Sequence, residues 1–408
     1  MSAIYHIGLK IYYFIVLIYS FFNAKAKKWI EGRKNWRLKF KNISKEPKIW
    51  FHFASLGEFE QGKPLLQAVR NQYPQKKIVI TFFSPSGYEI RKNSPLGDFI
   101  LYLPLDSPKN AEDFIQIFNP EMGIFNKYEY WYFFYKALHQ NQIRIYVTSA
   151  IFRKNQVFFK WYGGFNRKIL GYVSHFFVQN KTSGELLKNI GLSNFTLSGD
   201  TRFDSVLNLA KNKKEFPLIQ QFKGNKKLII AGSTWPDDEK ILSNFHLNDY
   251  WKIVIAPHEI AEHKLLALEN FFEGKSIRYS TLSEQDRMNE NTKAIIIDNI
   301  GMLSSLYAYG EIAYIGGGFG AGIHNTLEAA AWGLPVIFGP NHQKFQEAKD
   351  LVANKGGYAI HDQISLNAVL DLLMNHEETR KKSGSIALDY VVKNTGATAI
   401  IMKAVFKT

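Results

Sequence analysis

Residues 315–340 read Ile-Gly-Gly-Gly-Phe-Gly-Ala-Gly-Ile-His-Asn-Thr-Leu-Glu-Ala-Ala-Ala-Trp-Gly-Leu-Pro-Val-Ile-Phe-Gly-Pro. An apolar run, Ile312–Ile315, leads into five glycines between Gly316 and Gly322. An Ala-rich helix carrying His324, Asn325, Thr326, Leu327 and Glu328 is expected next, then a second apolar run, Pro335–Phe338. Strand, Gly-rich loop, helix, strand is the repeating unit of a parallel α/β sheet. Glycines such as Gly317 and Gly318 let a backbone approach a phosphate closely, and free N–H groups at a helix start hold its charge. Glu328, one turn beyond Asn325, is placed to take two hydrogen bonds from a ribose diol. A tight turn in any α/β protein would also use such glycines. The ordered His-Asn-x-x-Glu favours a nucleotide-sugar site.

Outward from this block, short apolar runs alternate with helical patterns. Lys48–Ser55, Lys77–Phe83, Phe99–Leu105, Met122–Phe125, Ile143–Ser149 and His175–Gln179 are the expected strands of one half. Lys227–Gly232, Trp251–Ala256, Ala294–Asp298, Ile312–Gly316 and Val336–Phe338 are those of a second. Helix-length connections between them predict parallel sheets covered on both faces. The fold class is therefore α/β, with two doubly wound Rossmann-like domains facing a cleft, since 408 residues exceed what one core usually supports. Expected boundaries are 1–24 for an N-terminal anchor helix, 25–207 for a first domain, 208–224 for a polar linker, 225–385 for a second domain and 386–408 for a C-terminal helix that packs back on the first. Ligands of such sheets sit at the carboxyl ends of strands.

Apolar residues make up 46% of the chain and aromatics 15%, enough for packed cores. There is no cysteine, which removes disulfides, thiol nucleophiles and Cys-ligated metals. Of a net charge of +15, residues 1–50 carry +9, from eleven Lys/Arg against two Glu. A mildly basic remainder disfavours a nucleic-acid partner. The basic cluster (Lys25, Lys27, Lys28, Arg33, Lys34, Arg37, Lys39, Lys41) follows an apolar segment that runs from Ile4 to Phe22 with Lys10 near its start. That segment reads as a retained membrane anchor, and the Lys/Arg excess predicts a body on the cytoplasmic face attracted to anionic lipids. A buried N-terminal helix is the competing reading, and spanning is not separated here from lying on the surface.

Several short motifs fall where predicted strands end. In Ala54-Ser55-Leu56-Gly57-Glu58, Gly62 and Pro64 are expected to hold off the helix until about Lys63, leaving Glu58 on a loop. A carboxylate there could accept a proton from an attacking hydroxyl, or be a solvated loop residue. Lys127, Glu129 and the aromatics around them suit a sugar, though the two charges could equally pair with each other. Arg202 offers a fork for a carboxylate or phosphate, unless it pairs with Asp204. Ser233 and Thr234 end the first strand of the second half, and Pro257 and His258 the second. His258 and His263 have metal-like spacing without the His-Glu-x-x-His order, so no metal is expected. Ile300, Gly301 and Met302 could offer backbone N–H groups.

Ala-Ser-Leu-Gly-Glu at 54–58, Glu-Tyr-Trp at 129–131, Gly-Asp-Thr-Arg-Phe-Asp at 199–204, Ala-Gly-Ser-Thr at 231–234 and the 316–340 block occur in order. With the basic N-terminal anchor, they resemble the 3-deoxy-D-manno-octulosonic acid (Kdo) transferases of lipopolysaccharide synthesis. The resemblance implies a GT-B fold and an inverting transfer, without metal or cofactor, of Kdo from CMP-Kdo to the lipid A precursor at the inner membrane. It implies Glu58 as general base, and CMP contacts from Pro257–His258, Ile300–Met302 and Asn325–Glu328. Arg202 stands where the family usually has a lysine. Lys127 replaces a common glutamate, His258 the usual arginine, and Met302 a frequent acidic residue. Another membrane-associated GT-B transferase, a nucleotide-sugar epimerase and a non-catalytic sugar-nucleotide-binding protein are the alternatives; the anchor argues against a soluble epimerase.

Overall fold

The computed structural model describes residues 1–283 and 291–406. It divides into two units, Met1–Ser205 with Thr395–Thr408, and Val206–Asn394. The first holds β1 Lys48–Phe53, β2 Lys77–Phe82, β3 Phe99–Tyr102, β4 Pro120–Asn126, β5 Arg144–Ala150, β6 His175–Val178 and β7 Phe195–Leu197. They form one parallel sheet in the order β3-β2-β1-β4-β5-β6-β7. The second holds β8 Lys227–Thr234, β9 Trp251–Pro257, β10 Ser276–Arg278, β11 Ala294–Ile296, β12 Ile312–Ile315, β13 Val336–Phe338 and β14 Gly357–Ala359. Its parallel order is β10-β11-β9-β8-β12-β13-β14. The strand order reverses between β1 and β4 in one sheet and between β8 and β12 in the other. Those switch points are where doubly wound sheets receive ligands.

Burial on both faces explains the unbroken apolar strands. From the first sheet, Trp50, Val79, Phe125 and Val147 enter one core cluster. Their neighbours Phe51, Phe53, Ile80, Phe82 and Ile124 enter another. β7, β10 and β14 escape the sequence reading because each has three residues and lies at a sheet edge. One neighbour and partial exposure leave little apolar signal there.

Four local expectations are corrected. The helix after β1 spans Leu56–Gln72, with Glu58 in its first turn and Pro64 inside. Pro64 deprives the Glu60 carbonyl of its partner, a cost of about 3 kcal/mol. Burial of Phe59, Leu65, Leu66 and Val69 on one face outweighs it. Gly62 serves packing, since a Cβ there would lie 2.4 Å from the Phe53 ring. The segment expected as a linker is helical, with Thr201–Lys211 and Pro217–Lys223, and the unit boundary falls inside the first. The C-terminal segment is two helices, Glu377–Lys393 and Ala397–Val405, broken at Gly396 with φ 105°; residues 407–408 lie outside the described residues. The second helix buries Ile401 and Val405 in the first unit's core, and Asp204 accepts the N–H groups of Gly396 and Thr398 at 2.7 Å each. Finally, two cations expected to face lipid are engaged elsewhere. Arg33 is buried, donates to the carbonyls of Leu103, Trp29 and Phe83, and lies 3.8 Å from the Trp29 ring centre. Arg37 pairs with Asp113.

Candidate active-site residues in the two units

At the carboxyl ends of β1 and β4, Glu58 is partly buried and accepts the Ala54 N–H at 2.7 Å. Burial pushes its carboxyl up to about 7, and the charge of Glu129 adds to the shift. The Ala54 bond and Lys127 pull the other way. A helix N-terminus normally favours a carboxylate's charge, so burial decides here.

Glu129 is itself held firmly. His52 in β1, fully buried, meets its Oε2 at 3.0 Å, and Trp131 Nε1 donates to the same oxygen at 3.0 Å. Behind His52, Trp50 Nε1 donates to Thr81 Oγ1 at 2.8 Å, and that hydroxyl lies 2.8 Å from His52 Nδ1. The Thr81 hydroxyl also lies 3.4 Å from the Phe51 carbonyl, and Trp131 Nε1 lies 3.2 Å from His52 Nε2, so the buried imidazole is engaged at both ring nitrogens.

A second network runs from the Glu58 backbone to Arg202. Asn126 Nδ2 donates to the Glu58 carbonyl at 3.2 Å and to Gln61 Oε1 at 3.0 Å. Gln61 Nε2 donates to Asp200 at 2.6 Å, and Thr201 Oγ1 to the Gln61 carbonyl at 2.6 Å. Asp200 receives Arg202 through its N–H at 2.9 Å and Nε at 2.8 Å. Burial alone would raise the Asp200 carboxyl, but Arg202 and the hydrogen bonds hold it below the ordinary value. Asp204, the alternative partner for Arg202, instead caps the C-terminal helix, and Asp200 is the carboxylate that Arg202 engages. Lys127 and Ser149 both have positive φ, 57° and 49°, at the ends of β4 and β5. Side chains pay for such conformations, which concentrate at functional sites.

In the second unit, the glycines are first a packing device. A Cβ on Gly316 would lie 2.3 Å from the Ser233 carbonyl oxygen, and one on Gly318 2.5 Å from the Gly339 Cα. The Gly317 N–H, expected to meet a phosphate, donates instead to Asp238 at 2.8 Å. Asp238 also accepts the Trp235 N–H at 3.0 Å and the Tyr314 hydroxyl at 2.7 Å, tying the ends of β8 and β12 together. Thr234 is buried and donates to Glu239 at 2.9 Å, so its hydroxyl supports the loop. Ser233 has φ 54°, at the register shift in β8.

The expected helix around His324 is shorter than the sequence suggests. It covers Leu327–Ala330, and His324 and Asn325 precede it in the loop. Asn325 Oδ1 accepts the Leu327 N–H at 3.1 Å while its Nδ2 donates to Glu328 at 3.0 Å, so Asn325 orients the carboxylate. The Thr326 hydroxyl is buried with no hydrogen-bond partner among the described residues. Trp235 Nε1 donates to His324 Nε2 at 3.1 Å, edge to edge. Exposed His258 stacks on both rings, at 4.8 Å and 4.5 Å between centres. Burial, then His258, lowers the His324 pKa, favouring a neutral ring. Pro257 ends β9. Ile300 is exposed, Gly301 has φ 92°, and Met302 is buried at the start of Leu303–Leu306.

Sequence reasoning missed His52, Gln61, Trp235 and Asp238, and it placed Trp131 among sugar-suited aromatics rather than as a donor to Glu129. One signal existed for His52: it interrupts the apolar run Ile49–Phe53 of β1, whose other polar residue, Lys48, stands at the start of the strand.

Residues 33–205 match the family model described as 3-deoxy-D-manno-octulosonic-acid transferase (kdotransferase). The chain is 26% identical over 362 residues to the 3-deoxy-D-manno-octulosonic acid transferase of Haemophilus influenzae, covering 86% of this chain and 84% of that one. It is 25% identical over 375 residues to that of Chlamydophila psittaci, with 87% and 85% covered. Among solved structures, it is similar to the UDP-GlcNAc 2-epimerase of Neisseria meningitidis (TM-score 0.63, 17% identity, 88% of this chain and 100% of that one). It is also similar to Acinetobacter baumannii MurG (TM-score 0.55, 12% identity, 89% and 100%). At such identities these structures establish the fold, which is GT-B.

Proposed function

We propose that this chain, whose residues 33–205 match the Kdo transferase family model and which is similar to Kdo transferases over more than four fifths of its length, moves Kdo from CMP-Kdo to the tetra-acylated lipid A precursor. The first unit takes the acceptor and the second the donor. The observation that carries this reading is Glu58, a carboxyl held near 7 at the switch point of the first sheet. A base with that pKa is half ionised at neutral pH and strong enough to take a proton from a hydroxyl in flight.

In the reaction, the acceptor hydroxyl oxygen attacks the anomeric C2 of Kdo. The bond from C2 to the phosphate oxygen breaks, CMP leaves with the electron pair, and the configuration inverts. The hydroxyl proton passes to Glu58. Glu129, fixed by His52 and Trp131, sets the field at Glu58. Lys127 and Arg202 supply positive charge near the developing anion and the Kdo carboxylate. Glu328 takes the ribose diol and His258 faces the phosphate or base, with Pro257 and the Ile300–Met302 backbone completing the CMP contacts. The second unit supports the donor role through Asn325, which pre-orients Glu328. The apolar N-terminal helix and exposed lysines after it support residence at the cytoplasmic face of the inner membrane. The test is direct. Purified protein with CMP-Kdo and the lipid precursor should release CMP and raise the lipid mass by one or more Kdo units. CMP release without a mass change in the lipid would reject the acceptor, and no turnover with a folded protein would reject the transfer.

A further inference from the structure

The helix Ser2–Tyr19 is long and apolar enough to cross a bilayer, and none of its residues is fully buried. Its exposure nevertheless has a helical period. Tyr5, Leu9, Tyr13, Val16, Leu17 and Ser20 are half-covered, while Ile4, Ile7, Ile11, Ile15 and Ile18 are exposed. One stripe is thus docked on the first unit from end to end, and the opposite stripe is entirely apolar. At the first turn, Tyr5 donates to the buried Asp106 at 2.7 Å and packs against Tyr132 and Phe165, at 5.8 and 5.6 Å between ring centres. Asp106 also accepts the N–H groups of Phe133 and Phe134, so this anchor point is part of the fold. Further along, Tyr12 and Tyr13 pack on Trp29, the ring that also carries Arg33.

A spanning helix would have to leave all of these contacts. We infer that this helix instead lies in the plane of one leaflet, with its isoleucine stripe in the boundary between headgroups and acyl chains and its docked stripe holding the first unit against the membrane. This deepens the membrane-facing reading proposed above and rests on it. The same unit exposes further aromatic side chains. Phe21 and Phe22 are 79% and 85% exposed just past the end of the helix. Trp161, 90% exposed, precedes the helix whose Phe165 touches Tyr5. Exposed Lys25, Lys27 and Lys28 follow directly, with Lys160 beside Trp161. That combination of an apolar stripe, aromatic flanks and cations fits an anionic lipid surface.

The absence of cysteine allows a clean test. Single-cysteine variants Ile4→Cys, Ile11→Cys and Ile18→Cys of the full chain, labelled with bimane, are bound to phosphatidylcholine vesicles containing phosphatidylglycerol. Quenchers are placed at the headgroup or at the acyl-chain end. In-plane seating predicts that all three positions share one shallow depth, about 5–10 Å into the boundary. A spanning helix predicts Ile11 at the bilayer centre with Ile4 and Ile18 near opposite headgroups, and that result would overturn the inference, as would no quenching at any position. Replacing Lys25, Lys27 and Lys28 by Glu should weaken vesicle binding by roughly tenfold or more; unchanged binding would remove the charge half of the argument. Transfer to detergent-dispersed lipid precursor is measured in parallel. Activity with the wrong depth profile rejects this inference alone, and the expected profile without activity rejects the transferase reading alone.

Discussion

Glu58 shows how one side chain's surroundings set the chemistry. Its carboxyl is raised from 4.5 to about 7, first by burial and second by Glu129. The base must be ionised to accept a proton, so transfer should fall as pH drops through about 7 and level off above it. Glu58→Gln should cut turnover by roughly 100-fold or more and flatten that limb; near-normal turnover in a folded variant would remove Glu58 from the mechanism. Stability should move oppositely. A group whose folded pKa is raised contributes stability present below about 4.5 and lost as pH rises through about 7. Relative to the native chain, the Gln variant should therefore gain up to about 3 kcal/mol between pH 4.5 and 7, read by urea denaturation. Glu129→Gln should shift the activity limb to lower pH without abolishing it, since burial remains. For Glu328, replacement by Ala should weaken CMP binding and leave lipid binding nearly unchanged; equal CMP affinity by calorimetry would place the ribose elsewhere.

The glycine loop belongs to the scale of elements. Two of its glycines are demanded by backbone crossing backbone, Gly316 against β8 and Gly318 against Gly339. Gly62, by contrast, faces a ring. Gly318→Ala should cost more than Gly62→Ala, because a main chain cannot rotate away as a side chain can. The expected loss for Gly62→Ala is about 1–3 kcal/mol, and thermal melts of the two variants compare them. Gly318→Ala should also depress CMP affinity, by moving the loop that leads to Asn325 and Glu328. A Gly318→Ala protein with normal melting and normal CMP binding would contradict this account. At the same scale, Glu58 lands in a helix rather than a loop because buried apolar surface outweighs one misplaced proline. Propensity favours a break at Gly62–Pro64; packing overrules it.

For the whole molecule, the donor's charge decides whether a metal is needed. CMP-Kdo carries one phosphate, and protein cations with backbone N–H groups can meet it. EDTA should leave CMP release nearly unchanged at saturating donor, and loss of activity restored by magnesium would sink the proposed chemistry. Much of this architecture was legible in the chain itself. Eleven apolar runs separated by helix-length segments specify two parallel sheets, because strands buried on both faces must be apolar throughout. The ordered motifs at their carboxyl ends mark which loops carry chemistry, and the basic segment after Ile4–Phe22 marks a membrane-facing end. Tertiary structure decided the rest. That Gly317 serves Asp238, that His52 orients Glu129 and that Tyr5 of the N-terminal helix meets Asp106 all depend on residues 77 to 101 positions apart meeting in space, and that Arg202 pairs with Asp200 depends on its rotamer. Local sequence holds no record of such meetings, since burial, which raises Glu58 and withdraws Arg33 from the surface, is a property of the assembled core.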